Sequence, residues 1–281
     1  MAGLRSLRVL LTTCGWLMLP LVIPLLAWPQ NGQAALPAQA TSMATQPASQ
    51  LAPPPVPDGS ASAADLEEQG DQLRAQKRYL DSIDYYNVAL KKQPSAVLWN
   101  KEGMSYLLLQ RPEQAAKCFD RAIKADKHAA EGYNNRGYVE QMKKNYDKAI
   151  AYYKKAIERR PSDAVFYYNM GACYFGKHDY ADAAKQYQAA FALDPNIFIR
   201  VSRTGIMAQA TSPEDRAAFS FMVAKMYAQA GDFDHSLEYL RKAMENGYKH
   251  INDVYTDREF ATLRTDKRFE ELMAQRPAAI P

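Results

Sequence analysis

Cysteine and histidine are scarce in this 281-residue chain, which has three cysteines and four histidines. No two cysteines form a CxxC pair, so the common zinc-binding and thiol redox motifs are missing. No histidine has a second histidine or cysteine at metal-ligand spacing, and GxGxxG and HExxH motifs are also absent. No nucleophile can be paired with a candidate base. We therefore expect no enzyme, no cofactor and no metal site.

Charge is nearly balanced, because 35 Lys and Arg residues oppose 31 Asp and Glu residues and leave a net charge of +4. A nucleic-acid-binding protein concentrates its basic residues in a stripe or patch, and this sequence has no such concentration. We therefore expect no nucleic-acid partner. Hydrophobic residues make up 47% of the chain, which is enough for most of it to fold.

Residues 9–28 contain no charged residue and follow Arg5 and Arg8. This pattern is typical of a secretory signal or of a single membrane anchor. Interrupting prolines and downstream small residues favour cleavage, whereas the length of the run favours retention, so both remain open. In either case the basic residues stay inside and the remainder lies outside the cytoplasm, periplasmic or secreted, or anchored in the inner membrane. A lipoprotein signal at Cys14 fits less well, because the preceding apolar run is short, and a mitochondrial presequence would be amphipathic.

Residues 29–62 are rich in Pro, Ala, Ser and Gln, and Asp58 is their one charged residue. Such a composition cannot bury enough apolar surface to offset the loss of conformational entropy on folding. We therefore predict a disordered linker between the N-terminal segment, residues 1–28, and the rest of the chain.

A repeat of about 34 residues organises the chain from residue 63 onward. Its clearest marker is a glycine that recurs at intervals of 33, 34 and 34 residues, at Gly70, Gly103, Gly137 and Gly171. Three further series keep the same intervals: Ser82, Ala115, Ala149 and Ala183; Tyr86, Phe119, Tyr153 and Tyr187; Ala89, Ala122, Ala156 and Ala190. Each unit holds two stretches with apolar residues at helical spacing, separated by a short turn. Because one such hairpin cannot bury its own apolar face, the repeat predicts a stack of helical hairpins.

The order aromatic, Gly, aromatic, Ala, aromatic, Ala, Pro within a unit resembles the tetratricopeptide repeat family. In the fourth unit the series is Tyr167, Gly171, Tyr174, Ala183, Tyr187, Ala190 and Pro195. The resemblance implies an all-α fold, a right-handed superhelical solenoid of helix-turn-helix hairpins with a C-terminal helical cap. We predict four hairpins in residues 63–197, an insertion and a degenerate fifth hairpin in 198–250, and short capping helices and a tail in 251–281. Similar tails occur in bacterial members of the family.

The C-terminal third carries signals of its own. Ser212, followed by Pro213 and two acidic residues, predicts the start of a helix. Two similar segments, at 256–264 and 265–273, predict short helices with Asp257 and Asp266 as N-caps and with Phe260, Leu263, Phe269 and Leu272 facing inward. Residues 196–211 do not fit the repeat, and we predict an irregular helix or a loop over the concave face of the stack.

In the family, the first helix of each hairpin lines this concave face. Mapped onto this sequence, the resemblance implies a partner-binding groove of amide, apolar and aromatic side chains: Asn100, Met104, Leu107, Asn134, Tyr138, Gln141, Tyr168 and Phe175. Amides can pair with the backbone of an extended peptide, while apolar and aromatic residues can anchor its side chains.

One familiar use of the fold is a clamp of Lys, Asn and Arg that binds a C-terminal carboxylate. The matching positions here supply too few cations, since one register holds Glu67, Asp71, Lys101, Glu131 and Asn135. We therefore expect a different use, a non-enzymatic scaffold or adaptor that binds a peptide or partner segment in the concave groove, outside the cytoplasm. The alternative is an accessory subunit of an envelope assembly or secretion complex that uses its convex face and cap.

Overall fold

The computed structural model describes residues 56–203 and 212–277. The predicted signal or anchor, most of the predicted linker and residues 204–211 of the insertion lie outside the described residues. Within the described ranges every regular element is a helix, and consecutive helices pack as neighbouring hairpins. The predicted all-α solenoid of hairpins is confirmed.

Eight helices form four hairpins of matched size. Each hairpin joins a first helix of 13 residues to a second helix of 14 residues. In the first three hairpins the second helix also packs closely on the first helix of the next hairpin. The helices are Ala63–Ala75 (α1), Tyr79–Lys92 (α2), Ala96–Leu108 (α3), Pro112–Ala125 (α4), Ala130–Met142 (α5), Tyr146–Arg159 (α6), Ala164–Gly176 (α7) and Tyr180–Leu193 (α8).

The recurring glycine allows the two helices of a hairpin to approach each other. A Cβ atom added to Gly103 would lie 2.5 Å from Cε1 of Phe119, closer than real Cβ contacts allow. The ring of Phe119 is completely buried on the second helix. The other three hairpins repeat the contact, in the pairs Gly70–Tyr86, Gly137–Tyr153 and Gly171–Tyr187. The sequence interval between glycine and aromatic is therefore the signature of one helix–helix contact.

A fifth hairpin follows the insertion and consists of Pro213–Ala230 (α10) and Phe233–Glu245 (α11). The hydroxyl of Ser212 accepts a hydrogen bond from the backbone N–H of Asp215, which confirms the predicted helix start. Ala224 takes the place of the repeat glycine and is fully buried.

The insertion itself begins with a short helix, Ile197–Arg203 (α9), which is one of the two alternatives predicted for residues 196–211; the remainder of that segment, from 204, lies outside the described residues. The side chains of Ile197 and Phe198 are fully buried. The rings of Phe198, Tyr187 and Phe219 all contact one another, with centroid distances of 5.4 to 6.0 Å. The backbones of α8 and α10 lie farther apart than those of α6 and α7, and α8 and α10 meet through the ring pairs Tyr187–Phe219 and Phe191–Tyr227.

The C-terminal end is a cap of three short 3₁₀ turns, Ile251–Tyr255, Arg258–Phe260 and Leu263–Thr265, and a last helix, Lys267–Gln275 (α12). The four aromatic and leucine side chains predicted to face inward are all buried, at Phe260, Leu263, Phe269 and Leu272. Asp266 caps α12 through the N–H of Arg268, as predicted. The prediction for Asp257 was wrong, because its carboxylate makes no capping bond and instead lies 2.8 Å from Nζ of Lys225.

Candidate functional site

A cavity of about 480 Å³ lies on the first helices of the second, third and fourth hairpins. We call it the groove. Helix α9 contributes one residue to its wall, so the insertion does reach the predicted concave face. The lining residues are Met104, Leu107, Leu108, Asn134, Asn135, Tyr138, Met142, Val165, Tyr168, Asn169 and Arg200.

Five of the eight sequence-predicted residues line the groove together: Met104, Leu107, Asn134, Tyr138 and Tyr168. Their positions follow from the helical repeat, because residues three or four apart share one face of a helix. Tyr138 is half-buried, whereas Tyr168 is almost fully buried and packs on the rings of Tyr187 and Phe198. Burial raises the pKa of both hydroxyls, so both phenols stay neutral.

The other three predicted residues lie outside the lining. Gln141 is buried, and its Oε1 accepts a hydrogen bond of 2.7 Å from the hydroxyl of Tyr153. The ring of Phe175 is buried in the core, 6.0 Å from that of Phe219. Asn100 lies at the edge of the groove and is bonded to another asparagine of the lining. A partner would reach Asn100 more readily than the two buried side chains.

Asparagine amides form a hydrogen-bonded row across three hairpins. Nδ2 of Asn169 donates to Asn134, Nδ2 of Asn134 donates to Asn135, and Nδ2 of Asn135 donates to Asn100, at 2.9, 3.0 and 2.8 Å. Each amide has two N–H groups and an oxygen with two lone pairs, so each retains hydrogen-bonding capacity beyond these bonds. The row fixes the orientation of the amides at the base of an otherwise apolar groove.

Arg200 is the charged residue of the lining, and the repeat pattern did not predict it. Its guanidinium is exposed and lies 2.8 Å from the carboxylate of Asp194. The segment that carries it, at 197–203, was recognisable only as an interruption of the repeat. The signal available in the sequence was the prediction that this interrupting segment lies over the concave face.

Lys101, the cation of the clamp register given above, is already paired with carboxylates. Nζ of Lys101 lies 2.5 Å from the carboxylates of both Glu67 and Asp71. Burial lowers the pKa of Lys101, but the hydrogen bonds that its ammonium donates to Asp71 and Glu67 outweigh this effect and raise the pKa above the ordinary value. The ammonium therefore belongs to an internal ion-pair network that crosses from the first hairpin to the second.

The described residues hold no group of three His, Cys, Asp or Glu side chains that could bind a metal ion. Burial raises the pKa of the Cys118 and Cys173 thiols to about 12, so neither is a thiolate at neutral pH. None of the helices described is both long and apolar enough to cross a bilayer.

Models of the tetratricopeptide repeat match residues 100–164, 142–202 and 217–246. Hsp70-Hsp90 organizing protein 3 of Arabidopsis thaliana is 23% identical over 112 residues, which are 40% of this chain and 20% of that protein. Small glutamine-rich tetratricopeptide repeat-containing protein 2 of Saccharomyces cerevisiae is 27% identical over 49% of this chain and 38% of its own length. The matches thus span a minor part of these relatives.

The crystal structure of MamA is 23% identical to this chain, with a TM-score of 0.45, and the match covers 65% of this chain and 96% of MamA. The hairpin of α1 and α2 lies outside the ranges matched by the repeat models, yet it has the same helix lengths and the same Gly70–Tyr86 contact. The matches to tetratricopeptide repeat models thus fall on the second to fifth hairpins.

Proposed function

We propose that this protein is a non-enzymatic interaction scaffold that binds an extended segment of a partner protein in the groove. The observation that carries the proposal is the row of asparagine amides set among apolar side chains. An extended peptide carries unpaired backbone N–H and C=O groups at regular intervals, which fixed amides can satisfy. The names of the curated relatives, which refer to the organising of Hsp70 and Hsp90, are in keeping with a protein-interaction role.

The walls of the groove favour an apolar anchor side chain on the partner. Met104, Leu107 and Tyr138 surround the space above the amides, and methionine adapts its shape to different ligands. Leu108 and Met142 lie at the rim, with 48% and 37% of their surface exposed. A segment with one or two apolar side chains and a free backbone therefore suits this surface better than a strongly charged one.

An acidic C-terminal tail is a poor candidate for the partner. Lys101, the cation of the clamp register, is held between Glu67 and Asp71, and freeing it would leave two carboxylates without their cation. These carboxylates would also repel an acidic peptide. The proposed ligand is thus an internal or apolar segment rather than a carboxylate-terminated one.

The test is selection of a displayed library of random short peptides on the protein, followed by titration of the selected peptides. The groove variant carries Leu108→Glu and Met142→Glu, which place charge at two exposed rim positions without touching the core. The control variant carries Leu80→Glu and Leu193→Glu, on the second helices α2 and α8, where the side chains are 54% and 45% exposed.

We expect the groove variant to bind the selected peptides about tenfold more weakly or worse, a loss of about 1.4 kcal/mol or more, and the control variant to bind as the wild type does. Equal loss in both variants, or loss in the control alone, would reject the groove. It would favour the alternative of an accessory subunit that uses its convex face and cap.

We also propose that the repeats lie outside the cytoplasm, exported or held at the membrane by the N-terminal segment. The support is the uncharged run of residues 9–28 behind Arg5 and Arg8. Fractionation of cells that express the full chain tests this directly, together with protease treatment of intact and permeabilised cells. Recovery of the full-length chain in the cytosol, protected until the inner membrane is opened, would contradict it.

A further inference from the structure

A second cavity, of about 830 Å³, opens where α9 interrupts the stack. We call it the cleft. One wall is formed by Tyr180, Ala184 and Gln188 of α8. The two residues one repeat earlier, Tyr146 and Ile150 of α6, belong to a core cluster shared with α7. Because the backbone of α10 lies farther from α8 than that of α7 lies from α6, the corresponding face of α8 is left uncovered, and Tyr180 is 40% exposed.

The floor of the cleft is the concave face of the fifth hairpin. Counting from Ala224 at the repeat glycine position, Phe221 corresponds to Asn134 of the groove and Lys225 corresponds to Tyr138. Both Phe221 and Lys225 line the cleft, and no residue lines both cavities. The groove and the cleft are therefore separate cavities, lined by different residues with different chemistry.

The cleft has an apolar floor that a partner side chain could cover. The ring of Phe221 stacks on that of Tyr248 at a centroid distance of 4.4 Å. Met222 and Met226 lie beside it on α10, one half-buried and one nearly buried. An apolar centre surrounded by charged residues is the usual anatomy of a protein interface.

The charge of the cleft is negative. Its lining contains four carboxylates, at Glu214, Asp253, Asp257 and Glu259, and two lysines, at Lys225 and Lys249. Nζ of Lys225 is already 2.8 Å from Asp257 and 3.6 Å from Glu259.

Glu214 and Asp253 are exposed and make no ion pair with any other residue that the structure describes. They are the carboxylates left to face an incoming cation. The groove, by contrast, has Arg200 as its charged lining residue.

We propose that the cleft is a second docking site, for a partner-protein segment that carries Lys or Arg next to an apolar side chain. The apolar side chain covers Phe221 and Met222, and the cation pairs with Glu214 and Asp253. This site is independent of peptide binding in the groove, since the two cavities share no residue.

The experiment pans a displayed library of random short peptides on the full-length protein and counter-selects against the cleft variant, Glu214→Gln with Asp253→Asn. Selected peptides are then titrated against three variants. The cleft variant removes two exposed negative charges. The charge-matched control, Glu158→Gln with Glu271→Gln, removes two from exposed sites elsewhere. The third is the groove variant defined above.

We expect the selected peptides to contain Lys or Arg within a few residues of an apolar side chain. Their affinity should fall by about tenfold in the cleft variant and stay within about twofold of wild type in the other two. The substitution Met222→Ser should weaken binding of the same peptides. Unchanged helical circular dichroism is the control for folding.

Several results would overturn the proposal. One is that no peptide is enriched on the wild type relative to the cleft variant. Another is that the enriched peptides are acidic or uncharged. A third is that the charge-matched control loses as much peptide affinity as the cleft variant does. Loss in the groove variant alone would assign the peptides to the groove, so failure of the cleft and failure of the groove are distinguishable.

Discussion

Glu102 is a carboxyl group inside the core of the second hairpin. It is 3% exposed, and its Oε2 has no hydrogen-bond partner among the residues described. Burial raises the pKa of Glu102 above its ordinary value of 4.5, although the charge of Arg121 and the hydrogen bond with Cys118 lower it in part. Folding therefore makes the charged form of Glu102 less favourable than it is in the unfolded chain.

The sign of the resulting pH dependence follows from linkage. Because the pKa of Glu102 is higher in the folded chain than in the unfolded one, its contribution is most favourable below about pH 4.5 and is lost as pH rises through the folded pKa. Glu102→Gln keeps the size and removes the charge. We expect the variant to be more stable than wild type by about 1–3 kcal/mol near pH 8 and the difference to shrink towards zero near pH 4.

Urea unfolding followed by circular dichroism, at several pH values, measures this difference. Glu158→Gln is the matched control, since the carboxyl of Glu158 is 71% exposed, and its effect should vary little with pH. A Glu102→Gln difference that is independent of pH would show that folding does not raise the pKa of Glu102.

At the scale of a helical hairpin, the repeat glycine is the position where a single methyl group matters most. We expect Gly103→Ala to destabilise the protein by about 1–3 kcal/mol, because the new Cβ would overlap Phe119, even though alanine favours a helix by about 1 kcal/mol over glycine. Gly132→Ala is the matched control within the next first helix. Its Cβ would meet Cγ1 of Ile123 at 3.2 Å, a flexible side chain that can move.

Thermal unfolding of the two variants checks this prediction. Gly132→Ala should be neutral or stabilising and Gly103→Ala destabilising. If both variants shift in the same direction, helix propensity rather than helix–helix contact governs the repeat glycine.

The turns within the hairpins share a backbone conformation that the repeat pattern of the sequence does not reveal. One residue in each turn has a positive φ, at the equivalent positions Lys77, Gln110, Lys144, His178 and Gly231. This left-handed conformation favours glycine, yet only the fifth hairpin has one. The side chains share no chemistry, so the sequence did not predict the conformation. The register of the flanking helices imposes it.

For the whole molecule, the cap is the element that closes the core. Phe260 and Phe269 belong to the same buried cluster as Tyr239 and Leu240 of the fifth hairpin. Arg264 holds the 3₁₀ turns together, because its Nη1 donates to the carbonyl oxygens of Val254 and Asp257 at 2.8 and 2.9 Å.

We expect Phe260→Ala to destabilise the protein by about 3–5 kcal/mol, with the loss concentrated in the last hairpin, since each repeat depends mainly on its neighbours. Hydrogen exchange measures this by helix. Protection in α10 and α11 should fall first, whereas α3 to α6 should retain theirs. Tyr255→Ala is the control, because that side chain is 49% exposed. A uniform loss along the chain would mean that the solenoid unfolds as one unit.

Much of the groove could be predicted from the sequence, because the family resemblance places the first helices on the concave face and helical periodicity then selects the residues that share one face. Met104, Asn134 and Tyr138 follow from their distance to the repeat glycine. Gln141 and Phe175 have the same periodicity but are buried. Residues of one helical turn can face either the groove or the core, and the packing of neighbouring helices decides which of them are buried. Arg200 lies outside the repeat, so no spacing could assign it to the groove.

The sequence by itself determined the hairpins, their number and their inward faces, because these rest on local interactions that recur with a fixed interval along the chain. Only the tertiary structure decided how α9 packs between the fourth and fifth hairpins and that the surface carries two separate cavities. That outcome depends on how Phe198 packs against Tyr187 and Phe219. Such a contact joins side chains from three helices and follows from their shapes rather than from any period in the sequence.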